Sequence, residues 1–404
     1  MPGTEFFGEE ERKEVNEVLD TTCLFRYNHD ELRQGHWKAK ELEAEVAKFT
    51  RANYAHAVSS GSAAVACALA ASGIGHGDEV IVPPFTFLAT IEAVLYAGAL
   101  PVFAEIDETL CLSAEGIADV ITDKTKAVLL VHMCGAAADM DGITKLCNDK
   151  GIKLVEDAGQ ALGAFYKGKS VGLFGTAGAF SFDFFKITTA GEGGLFITND
   201  KDTYTKADTF SDHGHSHIGD NRGMEQHPFL GFNFRISELH AAVGLAQARR
   251  LGKIITLNKK HKKQLKDQLR TVDGVTFRKM DDEAGDSATF LNFFMPTAEL
   301  AQKVVARLAE EGIGGANYWY TNMYHFINQW DHLKELRSAA PLAIHSLGAP
   351  QDYANLALPK SQEVVGRLIS FGIRATWSQD ELVKLGTDLK RITEEVLASN
   401  KKTN

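Results

Sequence analysis

Between residues 78 and 159 the chain alternates between two kinds of segment, and this limits its folds more than any other feature. "DEVIVPPFTF", "LPVFAEID", "KAVLLVH" and "IKLVEDAG" are short, almost wholly apolar runs. Between them stand "TIEAVLYAGA", "SAEGIADVI" and "MDGITKLCNDKG", each long enough for about three helical turns. Strands that are apolar throughout are covered on both faces, and helices joining them make parallel βαβ units. The expected class is therefore α/β, with a mainly parallel sheet flanked by helices. Upstream, "KELEAEVAKFT" reads as an amphipathic helix and "SSGSAAVACALAASG" as a glycine-serine turn entering a helix of small residues. "AGAFSFDF" and "GGLFITND" add strands, and a long helical region is predicted from Ser237 to about Leu269. Beyond it the texture changes: "ATFLNFFMP" is strand-like, "TAELAQKVVARLAEEG" is a helix, and two more helices are expected near 361–370 and 379–398. With 404 residues, the expectation is a large domain over 1–250 and a smaller α+β domain over 251–404.

Charge narrows the partners. With 43 basic against 53 acidic side chains, the net charge of −10 argues against nucleic acid or an anionic membrane. A small molecule or another protein remains. The five cysteines (Cys23, Cys67, Cys111, Cys134, Cys147) are scattered with no C-x-x-C pair, so a reducing cytoplasm is expected. The first residues carry no basic, apolar leader pattern, and no apolar run is long enough to span a bilayer. "HGHSH" (His213, His215, His217) alternates like a metal strand, but no acid or cysteine stands nearby at ligand spacing. No metal is expected.

In open α/β sheets ligands collect beyond the carboxyl ends of the strands. Several polar residues fall at such ends. "SSGSAAV" supplies first-turn amides and the Ser62 hydroxyl, an anion-binding arrangement. Phe87 follows "EVIVP", Glu156 and Asp157 end "KLVED", and only one of these two acids can face the site, because successive strand residues point opposite ways. Ser181 and Lys186 follow "AGAFSF", with Lys186 directly after Phe184 and Phe185. An anion cradle, an aromatic plate, a carboxylate and a lysine in a dry setting are what a phosphorylated aromatic aldehyde requires.

Taken in order, "SSGSAA", "GDEVIVPPFTFLATIEAVLYAGALPVFAEID", "KLVEDAGQALGA", "GAFSFDFFKITTAGEGG" and "GFNFRISELHAAVGLAQ" resemble the DegT/DnrJ/StrS group of sugar aminotransferases, which use pyridoxal 5′-phosphate on fold type I. The resemblance covers residues 1 to about 250 and implies roles. Lys186 matches the Schiff-base lysine, whose amine burial would free for attack. Asp157 matches the partner of the pyridinium nitrogen, Gln160 the residue near the phenolic oxygen, and Phe87 the stacking ring. Ser62, the Ala63 amide and Ser181 match the phosphate cradle. Asn233 matches a residue lent by the neighbouring subunit, which implies a homodimer with a shared active site. Arg235 is a candidate for the carboxylate of the amino donor, glutamate, unless it pairs with an acid such as Glu238.

Two segments depart from the family pattern. "TTCLFRYNHDELRQGHW" replaces a short glycine-proline passage, and "RLISFGIRATWS" stands where a serine-leucine-proline segment is usual. Both are expected to line the acceptor pocket, so Arg26 and Arg374 become candidates for an anionic sugar, and His132 for the pocket wall beside Cys134. The implied ketosugar then includes keto-ulosonates, as in formation of 8-amino-3,8-dideoxy-octulosonate for lipopolysaccharide. The alternatives are a sugar dehydratase on the same fold, which Lys186 disfavours because such relatives carry histidine there, and a non-catalytic cofactor-binding regulator.

Overall fold

The computed structural model describes residues 3–219 and 221–401. Its centre is a seven-stranded sheet: β1 (Tyr54–Val58), β2 (Glu79–Val82), β3 (Leu100–Phe103), β4 (Thr125–Val131), β5 (Lys153–Asp157), β6 (Ala177–Ser181) and β7 (Gly194–Thr198). The spatial order is β1-β7-β6-β5-β4-β2-β3. The pairs β2–β3, β2–β4, β4–β5 and β5–β6 are parallel, and β7 alone runs against both its neighbours. The βαβ reading of residues 78–159 therefore holds strand by strand. Val80, Ile81, Val102, Val128 and Leu130 are buried, as a sheet covered on both faces demands. β1 is a strand the sequence does not signal. "YAHAV" lacks β-branched residues until Val58 and is held by its pairing with β7 rather than by propensity.

A second, four-stranded antiparallel sheet follows: β8 (Thr276–Phe277), β9 (Phe290–Phe294), β10 (Ala316–Asn317) and β11 (Leu368–Gly372), in the order β8-β9-β11-β10. Leu291, Phe293, Ile369 and Phe371 pack against Leu265, Val304, Leu308, Leu389 and Ile392 from helices Leu251–Leu269, Ala298–Glu310 and Gln379–Lys401. Two expectations are corrected. The predicted helix near 361–370 ends at Arg367, and residues 368–372 form β11, whose backbone pairs on both sides. The long helical region breaks at Arg250 into Glu238–Arg249 and Leu251–Leu269, where the Arg250 guanidinium turns to the Phe6 carbonyl and the Glu11 carboxylate. Phe290, Trp319, Phe326 and Trp330 do not join the second sheet's core. They are buried with the large sheet's residues and so close one side of the region described next.

Candidate active site

β1 and β6 run in the same direction as β5, because each is related to its neighbour through β7 or directly in parallel. Chain order then delivers Ser60, Asp157 and Ser181 to one edge of the sheet. A cleft of about 1310 Å³ opens there, lined by Ser62, Phe87, Asp157, Gln160, Ser181 and Lys186 on one side, and by Trp319, His325 and Arg374 on the other.

At the end of β5 the two adjacent acids face apart. Asp157 lines the cleft, and its carboxylate accepts from Thr90 Oγ1 at 2.7 Å and from the Gly159 amide at 3.0 Å. Thr90 spends its one proton on Asp157, so Thr86 Oγ1, 2.7 Å away, donates to Thr90 in turn. Glu156 is buried on the other face. It accepts from the amides of Gly172 (2.7 Å), Phe174 (2.6 Å) and Gly175 (2.8 Å) and lies 2.9 Å from His132 Nε2.

The helix Gly61–Ala71 begins beside Ser181. A Cβ at position 61 would fall 2.7 Å from Ser181 Cβ, so the glycine permits this approach. The N-cap is Ser60, whose hydroxyl accepts the Ala63 amide at 3.0 Å. The Ala63 amide is thus bonded within the turn, and the amides of Gly61 and Ser62 precede it in the first turn. Gln160 lines the cleft while its Oε1 accepts the Cys134 amide at 3.1 Å. Cys134 itself is buried, its thiol pushed up to about 12 by burial. Phe87 is 42% exposed, its ring 5.5 Å from that of His325.

Lys186 is half-buried in the cleft. Burial pushes its ammonium below the ordinary lysine range, against the opposing pull of Asp183 and Asp157. Part of the wall around it is local, since Phe185 and Ile187 line the same cleft. Phe184 and Phe185 are exposed and pack edge-on against each other at 5.2 Å. The rest of the enclosure comes from the facing wall, with Trp319 and His325.

Four predicted residues lie outside this cleft. His132 is fully buried against Glu156. Arg26 is buried, paired to Glu43 at 2.7 Å and bonded to the Ala57 carbonyl, because the "TTCLFRYNHD" passage folds back on β1 instead of the pocket. Arg235 forms an ion pair with Asp212; Glu238, the expected partner, accepts the Lys38 amide at 2.6 Å. Asn233 is exposed, its Oδ1 accepting the Arg235 amide at 3.3 Å. Arg374 does line the cleft. The histidine loop also finds the carboxylates its sequence did not promise: His217 lies 2.8 Å from both Asp208 and Asp212, and His215 lies 3.1 Å from Glu225. They form a partly buried network in which His217 is the charged partner and burial pushes His215 toward its neutral form. The paired acids outweigh desolvation and hold the His217 imidazolium up to about 9.

His325 and Thr90 were not foreseen. His325 Nδ1 is 2.8 Å from Asn322 Oδ1, an oxygen that also accepts the Tyr324 amide at 3.0 Å. The proton is therefore assigned to Nδ1, leaving Nε2 an acceptor. Burial, with the Lys186 charge adding to it, pushes His325 down to about 4, so the ring is neutral. The aromatic density of "ANYWYTNMYHF" was the available signal.

A mainly parallel sheet with an amine, a carboxylate, an aromatic face and a helix start at one edge defines a cofactor-dependent transferase of the aminotransferase class. The chain belongs to the DegT/DnrJ/EryC1/StrS aminotransferase family, whose pattern matches residues 7–389. It is 34% identical over 342 residues to the GDP-perosamine synthase of Vibrio cholerae, covering 82% of this chain and 87% of that one. Against the GDP-perosamine synthase of Escherichia coli O157:H7 it is 40% identical over 238 residues, covering 59% of this chain and 62% of the other. Among solved structures, an aminotransferase from Psychrobacter cryohalolentis superposes with a TM-score of 0.83 at 27% identity, over 96% of this chain and 98% of that one. The family depends on pyridoxal 5′-phosphate. The cleft fits it: the Gly61–Ser62 turn and Ser181 suit a phosphate, Phe87 a ring face, Asp157 a protonated ring nitrogen and Lys186 an aldehyde. Among the described residues no helix is long and apolar enough to cross a membrane.

Proposed function

We propose that this protein is a pyridoxal-phosphate-dependent aminotransferase that moves an amino group from L-glutamate to a ketosugar acid in the cytoplasm. The observation that carries the reading is that Asp157 and Lys186 line one cleft together with Phe87 and the start of helix Gly61–Ala71. Bound there, the cofactor supplies an electron sink for the substrate carbon. Asp157, oriented by Thr90 and Gly159, keeps the ring nitrogen protonated, and the lowered proton affinity of Lys186 lets its amine take and return the substrate proton.

The charge balance of the cleft favours an acceptor with a single carboxylate over a nucleotide-linked sugar. Asp157, Asp183, Glu192, Glu381 and Asp388 line it, against Lys186, Lys384 and Arg374. Lys384 is tied to Asp388 at 2.6 Å, which leaves Arg374, with a side chain 57% exposed, as the cation to receive an anion. A keto-octulosonate aminated at C8, giving 8-amino-3,8-dideoxy-octulosonate, meets that description. The working unit is a homodimer. Phe185, Leu230 and Phe232 expose apolar surface in the single chain, and the exposed Asn233 directly follows Phe232.

The test is to follow the cofactor's visible absorbance. Glutamate should bleach it with release of 2-oxoglutarate, and among ketosugars a keto-octulosonate should restore it faster than GDP- or UDP-linked hexoses. Restoration only by a nucleotide sugar would overturn the acceptor assignment.

A further inference from the structure

The chain's first described residues reach the cleft from behind. Gly3, buried, donates its amide to the carbonyl of Lys186 at 2.8 Å. There is no room for a side chain at that position, since a Cβ would fall 2.6 Å from Gln247 Oε1 and 2.8 Å from the Thr189 amide. Two residues on, the Glu5 side chain is 7% exposed and meets the opposite wall. Its Oε2 accepts the amides of Ala375 (2.9 Å) and Thr376 (3.2 Å) and the Thr376 hydroxyl (3.1 Å), while Oε1 lies 3.5 Å from Arg374 Nε. His261 Nδ1, 2.8 Å from the Arg374 carbonyl, holds the same corner from helix Leu251–Leu269. One short segment thus links the backbone of the reactive lysine to the corner that presents Arg374.

We infer that Glu5 is a positioning residue for substrate specificity: it clamps residues 374–376 and, through Nε, aims the Arg374 guanidinium so that its remaining nitrogens serve the acceptor's carboxylate at a fixed reach from Lys186. All three hydrogen bonds fall on Oε2, so a glutamine can keep them with its carbonyl oxygen. Its NH2 would then stand at the Oε1 position and turn a donor toward Arg374 Nε, so the substitution removes the contact to the guanidinium and spares the clamp. The inference rests on the proposed acceptor reading, in which Arg374 binds the sugar carboxylate.

The experiment compares Glu5→Gln, Arg374→Ala and the double variant as holoenzymes. Binding of 3-deoxy-octulosonate, the 8-hydroxyl parent that cannot be aminated at C8, is measured by calorimetry, and glutamate bleaching by its half-saturation. Glu5→Gln should weaken octulosonate binding about fivefold, the upper scale of a partly exposed ion pair, and glutamate half-saturation by less than about twofold. In the Arg374→Ala background, Glu5→Gln should add less than about twofold, since its effect passes through Arg374. Glu5→Asp, which keeps the charge, should recover part of the loss, and circular dichroism establishes that each variant is folded. Additive losses in the double variant, or equal losses for glutamate and octulosonate, would overturn the inference. So would a Glu5→Gln holoenzyme that binds octulosonate normally while Arg374→Ala does not; the acceptor reading would then survive. Normal binding by Arg374→Ala would remove the acceptor reading, and this inference with it.

Discussion

Glu156 and Asp157 are neighbours on one strand, and the structure divides their work cleanly enough to test by conservative substitution. Glu156→Gln keeps size and shape but replaces one acceptor oxygen with an amide. Oε2 takes His132 Nε2 and the Gly172 amide, and Oε1 takes the amides of Phe174 and Gly175. Whichever way the glutamine turns, two of these four donors meet an NH2. His132 could answer by moving its proton to Nδ1, but Nδ1 is buried without a hydrogen-bond partner, so that route leaves a donor stranded. Each lost bond to a charged acceptor is worth about 1.5–3 kcal/mol, which places the total for two near 3–6 kcal/mol. Asp157→Asn should behave oppositely. It changes stability by about 1 kcal/mol or less, because Gly159 can still donate to Oδ1 and the Thr90 hydroxyl, which now meets Oδ2, can turn to accept from the new NH2, yet it should lower turnover at least about a hundredfold by removing the anion proposed to face the ring nitrogen. Urea unfolding of the cofactor-free proteins measures the first quantity, and single-turnover bleaching by glutamate the second. Parallel losses of activity at equal stability would show that both acids serve the cleft, and the facing-apart assignment would be refuted.

Lys186→Ala should be inactive, and borohydride treatment of the variant with cofactor should leave no pyridoxyl label at position 186, checked by peptide mapping. Because burial lowers the proton affinity of Lys186 and Asp183 opposes it, amine-selective acylation of the cofactor-free protein should show a midpoint below that of an ordinary lysine, and Asp183→Asn should lower it further. His217 is held up to about 9 by Asp208 and Asp212 against an unfolded value near 6.5. The stability it lends the 208–217 segment is full below about 6.5 and lost as pH rises through about 9. Hydrogen exchange there, corrected for intrinsic rates, should accelerate across that window in the parent and not in His217→Gln. Cys134, pushed up to about 12 inside the core, should resist iodoacetamide at pH 8 until the protein unfolds.

The parallel sheet was legible because its strands are apolar on both faces, a pattern that survives without knowledge of contacts. "DEVIVPPFTF" and "KLVEDAG" could be placed by pattern alone, and the edge where ligands collect followed from strand direction. The alternation of faces along a strand also separated Asp157 from Glu156 in principle, though not which acid looked inward. What pattern could not supply was the company each side chain keeps at long range. Arg26 and Arg374 look alike as unpaired cations in unusual segments. Only the fold shows that one is buried against Glu43 and the other borders the cleft. The aromatic stretch before Lys186 gave only part of the wall for the same reason: Phe185 borders the cleft, while Trp319 and His325, which line it too, arrive from more than a hundred positions away. β11 was masked by the helix that runs straight into it, since Leu368, Ile369 and Phe371 extend an apolar run with no intervening turn residue.

The loop bearing Lys186 is pinched shut at its base. Phe182 donates to the Gly193 carbonyl at 2.9 Å, and Ala190 donates to the Phe182 carbonyl at 2.8 Å. Such a closed neck separates two kinds of freedom. In the role proposed for Lys186, the long side chain would swing through each cycle while its anchor point stays registered to the sheet, so repeated attachment and release would not loosen the scaffold. The outward tip then has two fates: Phe184 is exposed contact surface, while Phe185, though exposed, borders the cleft itself.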